Sequence, residues 1–227
     1  MQKQLLLDLG TPEPPTLEDF TVCANSEVIE KLKAVAKRQS TDHFVYLWGD
    51  LGFGKTHLLQ ALAQYAPARY LTPNSPIDDF IYSPETTLYL IDDCENLSPA
   101  LQIAAFNLFN EIRDNRVAYL VTAGNCAPMA LKLRDDLRSR LCWGLVYQVQ
   151  GLPDNAKLDV LARIAQKRGI RLSEGVLPWL LTHYRRDMHS LTKIMDELDI
   201  YSLEMKRVVT LPLLSSLLAK KLELKND

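Results

Sequence analysis

The chain contains no apolar run long enough to cross a bilayer. Its leucine-rich start, Leu5-Leu6-Leu7, meets Asp8 too soon to form the hydrophobic stretch of a signal peptide, so a cytoplasmic location away from membranes is expected. Cysteine is scarce. Cys23, Cys94, Cys126 and Cys142 stand singly, without a CxxC pair or a histidine at ligand spacing, which argues against a zinc site and a disulfide framework and reads as buried, reduced thiols. An excess of positive charge is also lacking. With 26 Lys and Arg against 28 Asp and Glu the net charge is -2, so no broad basic face for sequence-independent DNA binding is expected, and any DNA contact should be largely indirect. Low-complexity tracts and repeats are absent. What remains is an ordinary globular composition, 47% hydrophobic and 24% charged, in 227 residues, enough for one α/β domain and a small helical one.

Residues 1–16 read as an extended tail, because Pro12, Pro14 and Pro15 forbid helix. Ser26 is placed to cap a helix carrying Val28, Ile29, Leu32 and Val35. Three nearly continuous apolar runs follow, His43 to Trp48, Thr87 to Ile91 and Val117 to Thr122, each of the kind expected of a strand buried on both faces. A shorter strand is expected at Arg69 to Leu71, and another at Leu145 to Val149. Helical patterns lie between them, one running from Thr56 to about Gln64 and another opened by Ser98 and Pro99. Alternating strands and helices imply a parallel sheet covered by helices. Beyond Gly151-Leu152-Pro153 only helices are indicated: one through Leu158, Leu161, Ala162 and Ala165, one starting at Ser173, one capped by Asp187 and one opened by Thr210 and Pro212. The expected organisation is a tail at 1–16, an α/β domain at 17–151 and a helical domain at 152–227.

The chemistry lies at the ends of the strands. Gly49 to Thr56 meets the phosphate-loop pattern G-x-x-x-x-G-K-[ST], between a strand-like and a helix-like run as that motif requires. Gly49, Gly52 and Gly54 let backbone N–H groups approach phosphate oxygens, Lys55 neutralises β- and γ-phosphate charge, and Thr56 offers a hydroxyl to Mg²⁺. Asp92 follows four apolar strand residues and is placed to orient Mg²⁺ or its water, with Asp93 placed to polarise an attacking water. Asn125 is either a contact to the γ-phosphate or a turn former. In Asp135-Asp136-Leu137-Arg138-Ser139-Arg140 the two arginines stand at i and i+2 on different faces, so at most one can enter its own cleft. The other is either a finger for a neighbouring protein's phosphate or a partner of Asp135 or Asp136.

Together, Gly54-Lys55-Thr56-His57-Leu58-Leu59-Gln60-Ala61, Leu90-Ile91-Asp92-Asp93 and Ser139-Arg140-Leu141-Cys142-Trp143-Gly144 resemble the DnaA branch of AAA+ proteins. Thr16-Leu17-Glu18-Asp19-Phe20 resembles that branch's lead-in segment, and the likeness covers almost the whole chain. Within the branch the chain resembles the short Hda family, regulatory inactivators of DnaA, in which a clamp-binding hexapeptide precedes an AAA+ module. Gln4-Leu5-Leu6-Leu7-Asp8-Leu9 resembles that hexapeptide, with Asp8 where the family often has proline; Gln4, Leu5, Leu7 and Leu9 would contact the β subunit sliding clamp of DNA polymerase III.

The resemblance implies an AAA+ domain with a C-terminal helical lid, ADP or ATP with Mg²⁺, Arg140 as an arginine finger acting in trans, and Asn125 at sensor 1. It aligns Arg186-Asp187-Met188-His189 with the sensor 2 helix, His189 standing where arginine is usual; a neutral imidazole does not replace a guanidinium fork on phosphate. The implied function is negative regulation of replication initiation, with DnaA and the clamp as partners; a homo-oligomer is compatible with it. A free-standing ATPase and a helicase-loader-like adaptor using nucleotide as a switch are the alternatives.

Overall fold

The computed structural model describes residues 14–205 and 208–223. The clamp-like positions Gln4, Leu5, Leu7 and Leu9 lie outside the described residues. Five strands, β1 (Phe44–Trp48), β2 (Ala68–Leu71), β3 (Leu88–Ile91), β4 (Tyr119–Gly124) and β5 (Leu145–Gln148), form one parallel sheet in the order β2-β3-β4-β1-β5. Alternate side chains enter two cores, as the period of a strand dictates. Val45, Leu47, Leu90 and Val121 pack on α1 (Ser26–Ala36) and α2 (Lys55–Leu62), while Tyr46, Tyr89, Ile91 and Leu120 pack on α3 (Pro99–Asn115) and α4 (Asp135–Leu141). A third core, including Leu161, Leu180, Leu191, Leu198 and Leu214, belongs to α5 (Asp154–Arg168), α6 (Val176–His183), α7 (Met188–Met205) and α8 (Leu211–Glu223).

Several local expectations shift. The strand expected at Val117 begins at Tyr119 and extends to Gly124, with Val117 left 57% exposed. Ser26 lies inside α1 rather than at its cap, which is Asn25. Asn25 makes no side-chain cap bond because its amide is engaged elsewhere: Nδ2 donates to the Gln150 carbonyl at 2.9 Å and Oδ1 accepts from Gln150 N–H at 2.7 Å. Ser173 does not start α6; its N–H donates to the Val209 carbonyl, and left-handed Gly175 precedes the helix. Ala162 turns outward, so Leu161 and Ala165 carry the buried side of α5. Of the thiols only Cys94 is buried, Cys126 is half-buried, and Cys23 and Cys142 are exposed, which corrects the reading of four buried thiols. Ser98 and Asp187 do cap α3 and α7, accepting from Leu101 N–H at 3.3 Å and Ser190 N–H at 2.8 Å.

Residues 14–25 form a strap between the lower helices and the lid. Leu17 is buried in the core beside α1, Lys167 of α5 donates to Asp19 at 2.8 Å and Arg163 of α5 donates to the Thr21 hydroxyl at 2.5 Å. The Lys167 ammonium, with further help from Thr16, lowers the Asp19 carboxyl from its ordinary 3.8 to about 2.

Two outcomes follow from this bracing. Asn25 is 1% exposed, and Asn25→Ala leaves both Gln150 backbone groups unpaired, so urea unfolding should show a loss of about 2–3 kcal/mol. The Asp19 tether stabilises the fold above the unfolded-state value near 3.8 and is lost as pH falls through about 2. The difference in melting temperature between the parent and Asp19→Asn should therefore hold constant above pH 4 and shrink below it; a difference independent of pH in that window refutes the tether.

Candidate functional site

Because the strands are parallel, their C-terminal ends gather at one edge of the sheet. Trp48 is level with Gly124 on one side and Gln148 on the other, and Ile91 is level with Thr122. The loop after β1, the acids after β3 and the polar turn after β4 thus meet at that edge, bringing Gly49 to Thr56, Asp92, Asp93 and Asn125 to one cleft.

The loop's backbone is shaped by what it touches. A Cβ at Gly49 would lie 2.6 Å from the Val149 carbonyl oxygen, just past β5. Gly52 has φ +81°, a conformation that only glycine adopts freely, and a Cβ there would lie 3.0 Å from Asp187 Cβ and 3.2 Å from Met188 N, at the start of α7. Gly54, the cap of α2, faces the Phe20 ring of the strap. The loop therefore meets sheet edge, lid and strap, and its N–H groups run into the N-terminus of α2, an anion-binding arrangement.

Lys55 folds over the loop, its Nζ donating to the Gly49 carbonyl at 2.6 Å and the Asp50 carbonyl at 3.0 Å. Burial pushes the ammonium below its ordinary value, opposed by the negative charges of Glu95, Asp92, Asp93 and Asp50. Thr56 is exposed at the first turn of α2. Asp92 is 3% exposed and both its oxygens are engaged: Oδ2 accepts from Tyr70 Oη at 2.6 Å and Oδ1 from the Asp93 N–H at 3.0 Å. Asp93 takes a left-handed φ of 49°, which costs an L-residue about 1–2 kcal/mol, and turns toward solvent. Its carboxyl is raised by partial desolvation and then by Asp92, with Lys55 pulling the other way.

Two contributors escape sequence reading. Tyr70 on β2 orients Asp92, and burial together with that carboxylate raises its phenol. Glu95 lies on a 3₁₀ turn, Cys94–Asn96, that follows the left-handed Asp93, and it is close enough to feel the charges of Asp93 and Lys55. Its Oε2 is buried without a hydrogen-bond partner, and its carboxyl is raised by desolvation, with the N–H groups of Glu95 and Asn125 and the Lys55 charge opposing. The spacing Asp92-x-x-Glu95 was the available signal.

These residues fit a Mg²⁺-nucleotide: loop N–H groups and Lys55 toward phosphate, Thr56 and Asp92 toward the metal, and a buried acceptor at Glu95 that lacks a donor. Asn125 is exposed at the cleft edge. Of the lid residues, His189 is exposed in the first turn of α7, and Arg186, 63% exposed, lies 3.7 Å from Asp154 on α5. Asp187, raised by burial but held below its ordinary value by Ser190, stands closest to the loop.

Arg140 is elsewhere. Its guanidinium lies 4.3 Å from the Trp143 ring centroid and 5.9 Å from Phe109, which stacks on Phe44, the first residue of β1, at 3.9 Å. Five strand steps, roughly 16 Å at about 3.3 Å each, separate Phe44 from Gly49, so Arg140 is at the opposite edge of the sheet from its own phosphate loop. The ion pairs expected near it fall to its neighbours, Arg138 with Asp135 at 2.6 Å and Arg134 with Asp136 at 2.8 Å.

Residues 154–218 match the family model for the lid domain of Hda. An uncharacterized protein of Haemophilus influenzae is 33% identical over 233 residues, covering 96% of this chain and 99% of that protein. Domain III of the Thermotoga maritima replication initiation protein DnaA superposes with a TM-score of 0.78 at 23% identity, over 90% of this chain and 95% of that one. AMPPCP-bound DnaA from Aquifex aeolicus superposes at 0.64 with 22% identity, over 83% and 67%. Among the described residues no helix is long and apolar enough to cross a membrane.

The Lys55 geometry has a direct consequence. Lys55→Met leaves the Gly49 and Asp50 carbonyls without their donor and the neighbouring acids without their cation, so it should lower the melting temperature without added nucleotide by a few degrees, while abolishing the further rise on adding ADP or ATP. A nucleotide-induced rise that survives the substitution contradicts the phosphate role of Lys55. With its five-stranded parallel sheet, phosphate loop and helical lid, the chain belongs to one family with the Haemophilus influenzae protein and is a DnaA-branch AAA+ protein related to Hda.

Proposed function

We propose that this protein is a negative regulator of replication initiation that promotes ATP hydrolysis by DnaA, inserting Arg140 beside the initiator's γ-phosphate. The observation that carries the reading is the presentation of Arg140: part-exposed, distant from its own loop and engaged through its ring-facing side, while Arg134 and Arg138 are held in ion pairs. A guanidinium at that phosphate stabilises transition-state charge, and such a finger is worth about 10³–10⁵ in rate. The Hda-type lid supports this partner over a helicase.

In this reading bound ADP or ATP with Mg²⁺ sets the pose of the lid against the α/β part. Lys55 and the loop N–H groups would hold the phosphates, Thr56 and Asp92 would hold the metal, and Asn125, Arg186 and His189 would border the cleft. Metal chemistry there would polarise the terminal phosphate. Asp93 and Glu95 supply acceptors for a water proton, which supports slow turnover of the protein's own nucleotide. The tail delivers the protein to DNA: Gln4 enters a polar subsite of the sliding clamp while Leu5, Leu7 and Leu9 enter an apolar one, with the prolines behind them as a spacer. Contact with DNA is then mainly through the clamp, in keeping with the net charge of -2.

The test is ATP hydrolysis by DnaA with this protein and DNA-loaded clamp. Arg140→Ala should reduce the stimulated rate at least 100-fold and leave clamp binding and nucleotide binding unchanged. Gln4→Ala combined with Leu7→Ala should abolish clamp pull-down and, with it, clamp-dependent stimulation. Full stimulation by Arg140→Ala removes the finger; undiminished pull-down removes the tail's role.

A further inference from the structure

We infer that Trp143 is the positioning residue for Arg140, a role that rests on the trans reading above. The indole holds the guanidinium by its flat face and leaves the N–H edge for an incoming phosphate.

The arginines of this region divide by how they are held. Arg134 donates through Nε and Nη2 to Asp136, Arg138 donates to Asp135, and Arg113 donates through Nε to Asp114 while also lying over the Trp143 ring, farther out at 6.0 Å. Each spends in-plane N–H groups on a carboxylate. Among the described residues Arg140 makes no salt bridge, though its charge joins that of Arg113 in lowering Asp114; its close contacts are with rings, at 4.3 Å from the Trp143 centroid, 5.6 Å from Phe106 and 5.9 Å from Phe109. A guanidinium presents its cation to a ring through its face, whereas phosphate is bound by the fork of donors along the edge. Stacking therefore restricts the long side chain without occupying the groups a transition state needs. An ion pair would occupy them and would have to break before insertion.

The platform is itself fixed. Trp143 N–H donates to the Arg140 carbonyl at 3.0 Å, closing the turn after α4 and bringing the ring back over the side chain. Gly144 then runs so close to β1 that a Cβ would lie 2.2 Å from the Phe44 carbonyl oxygen, which locks the turn to the sheet. Phe109 meets the indole edge-on at 6.3 Å and is stacked on Phe44. Even so, Trp143 is 60% exposed, an unusual cost for so large an apolar ring unless its outer part has work to do.

The test pairs a side-chain resonance with the hydrolysis assay. In the full-length protein the Arg140 Nε–H proton should be shifted upfield by the ring current, lose that shift in Trp143→Ala and keep part of it in Trp143→Phe, with the backbone amide spectrum otherwise preserved. Stimulated hydrolysis by DnaA should fall about 2–5-fold in Trp143→Ala, the loss of one exposed cation–π contact. It should stay near the parent rate in Trp143→Phe and fall at least tenfold in Trp143→Glu, whose carboxylate would capture the donors. If the alanine variant does not fold, the Phe and Glu variants carry the comparison. An unshifted Nε–H, or full stimulation by both Trp143→Ala and Trp143→Glu while Arg140→Ala is inactive, overturns the positioning role alone. Full stimulation by Arg140→Ala overturns the finger and the positioning role together.

Discussion

The backbone of the phosphate loop is approached by three separate parts of the chain too closely to leave room for side chains. Gly49 abuts the Val149 carbonyl, Gly52 abuts Asp187 and Met188, and Gly54 abuts the Phe20 ring. Val149 begins the link from sheet to lid, Met188 opens α7, and Phe20 belongs to the strap that Asp19 and Thr21 tie to α5. The loop whose N–H groups are arranged for an anion is thus also the surface on which lid and strap rest. The buried Asn25 amide, bonded to both backbone groups of Gln150, fixes the point about which the lid and the α/β part are joined.

Within the cleft the charges are arranged to be incomplete. Four carboxylates, Glu95, Asp92, Asp93 and Asp50, act on one part-buried ammonium at Lys55, and one oxygen of Glu95 is buried with no donor among the described residues. A folded chain tolerates such a group at a cost of about 1–3 kcal/mol, because it remains ready for a ligand. Tyr70 plays the opposite part. Its hydroxyl and the Asp93 N–H satisfy Asp92, so the most deeply buried acid of the group is also the most firmly oriented. Orientation and readiness are thereby divided between neighbouring acids on one strand end.

The fold was legible because its signals are local. Apolar runs of four to six residues ending in Gly49, Asp92 and Gly124 announce buried parallel strands, and the phosphate-loop spacing is meaningful only between a strand and a helix. Caps were read less well where tertiary contacts compete: Asn25 uses its amide on Gln150 and not on its own helix, and Ser173 joins the Val209 carbonyl instead of opening α6. The site was half legible. Spacing within a motif identifies Lys55 and Asp92, but Tyr70, Phe20 and Asp187 reach the cleft from other elements, and no pattern in one sequence reports that Gly52 touches the start of α7. From the residues alone Arg140 was legible only as one of two arginines, and the family resemblance singled it out. Which of them is paired was decided by the geometry of α4, where Asp135 reaches Arg138 across three residues and the closing turn brings Trp143 back to Arg140.

That division sets the chain's own site against the one it is proposed to complete. In its own cleft the lid offers an exposed imidazole at His189, and Arg186 is drawn toward Asp154, so no guanidinium fork is held over the loop from α7. The part-exposed Asp187 carboxylate beside Gly52 adds negative charge where a triphosphate would bring more. At the far edge of the sheet a guanidinium is held over an indole ring with no salt bridge among the described residues. Transition-state charge is stabilised by donors already in place when it develops, since reorganising them during reaction consumes the gain. Under the function proposed above, this distribution favours hydrolysis in a partner's loop over hydrolysis in the chain's own. In that proposal the phosphate loop would govern pose, and the chemistry would depend on how rigidly Arg140 is offered at the opposite end of β1.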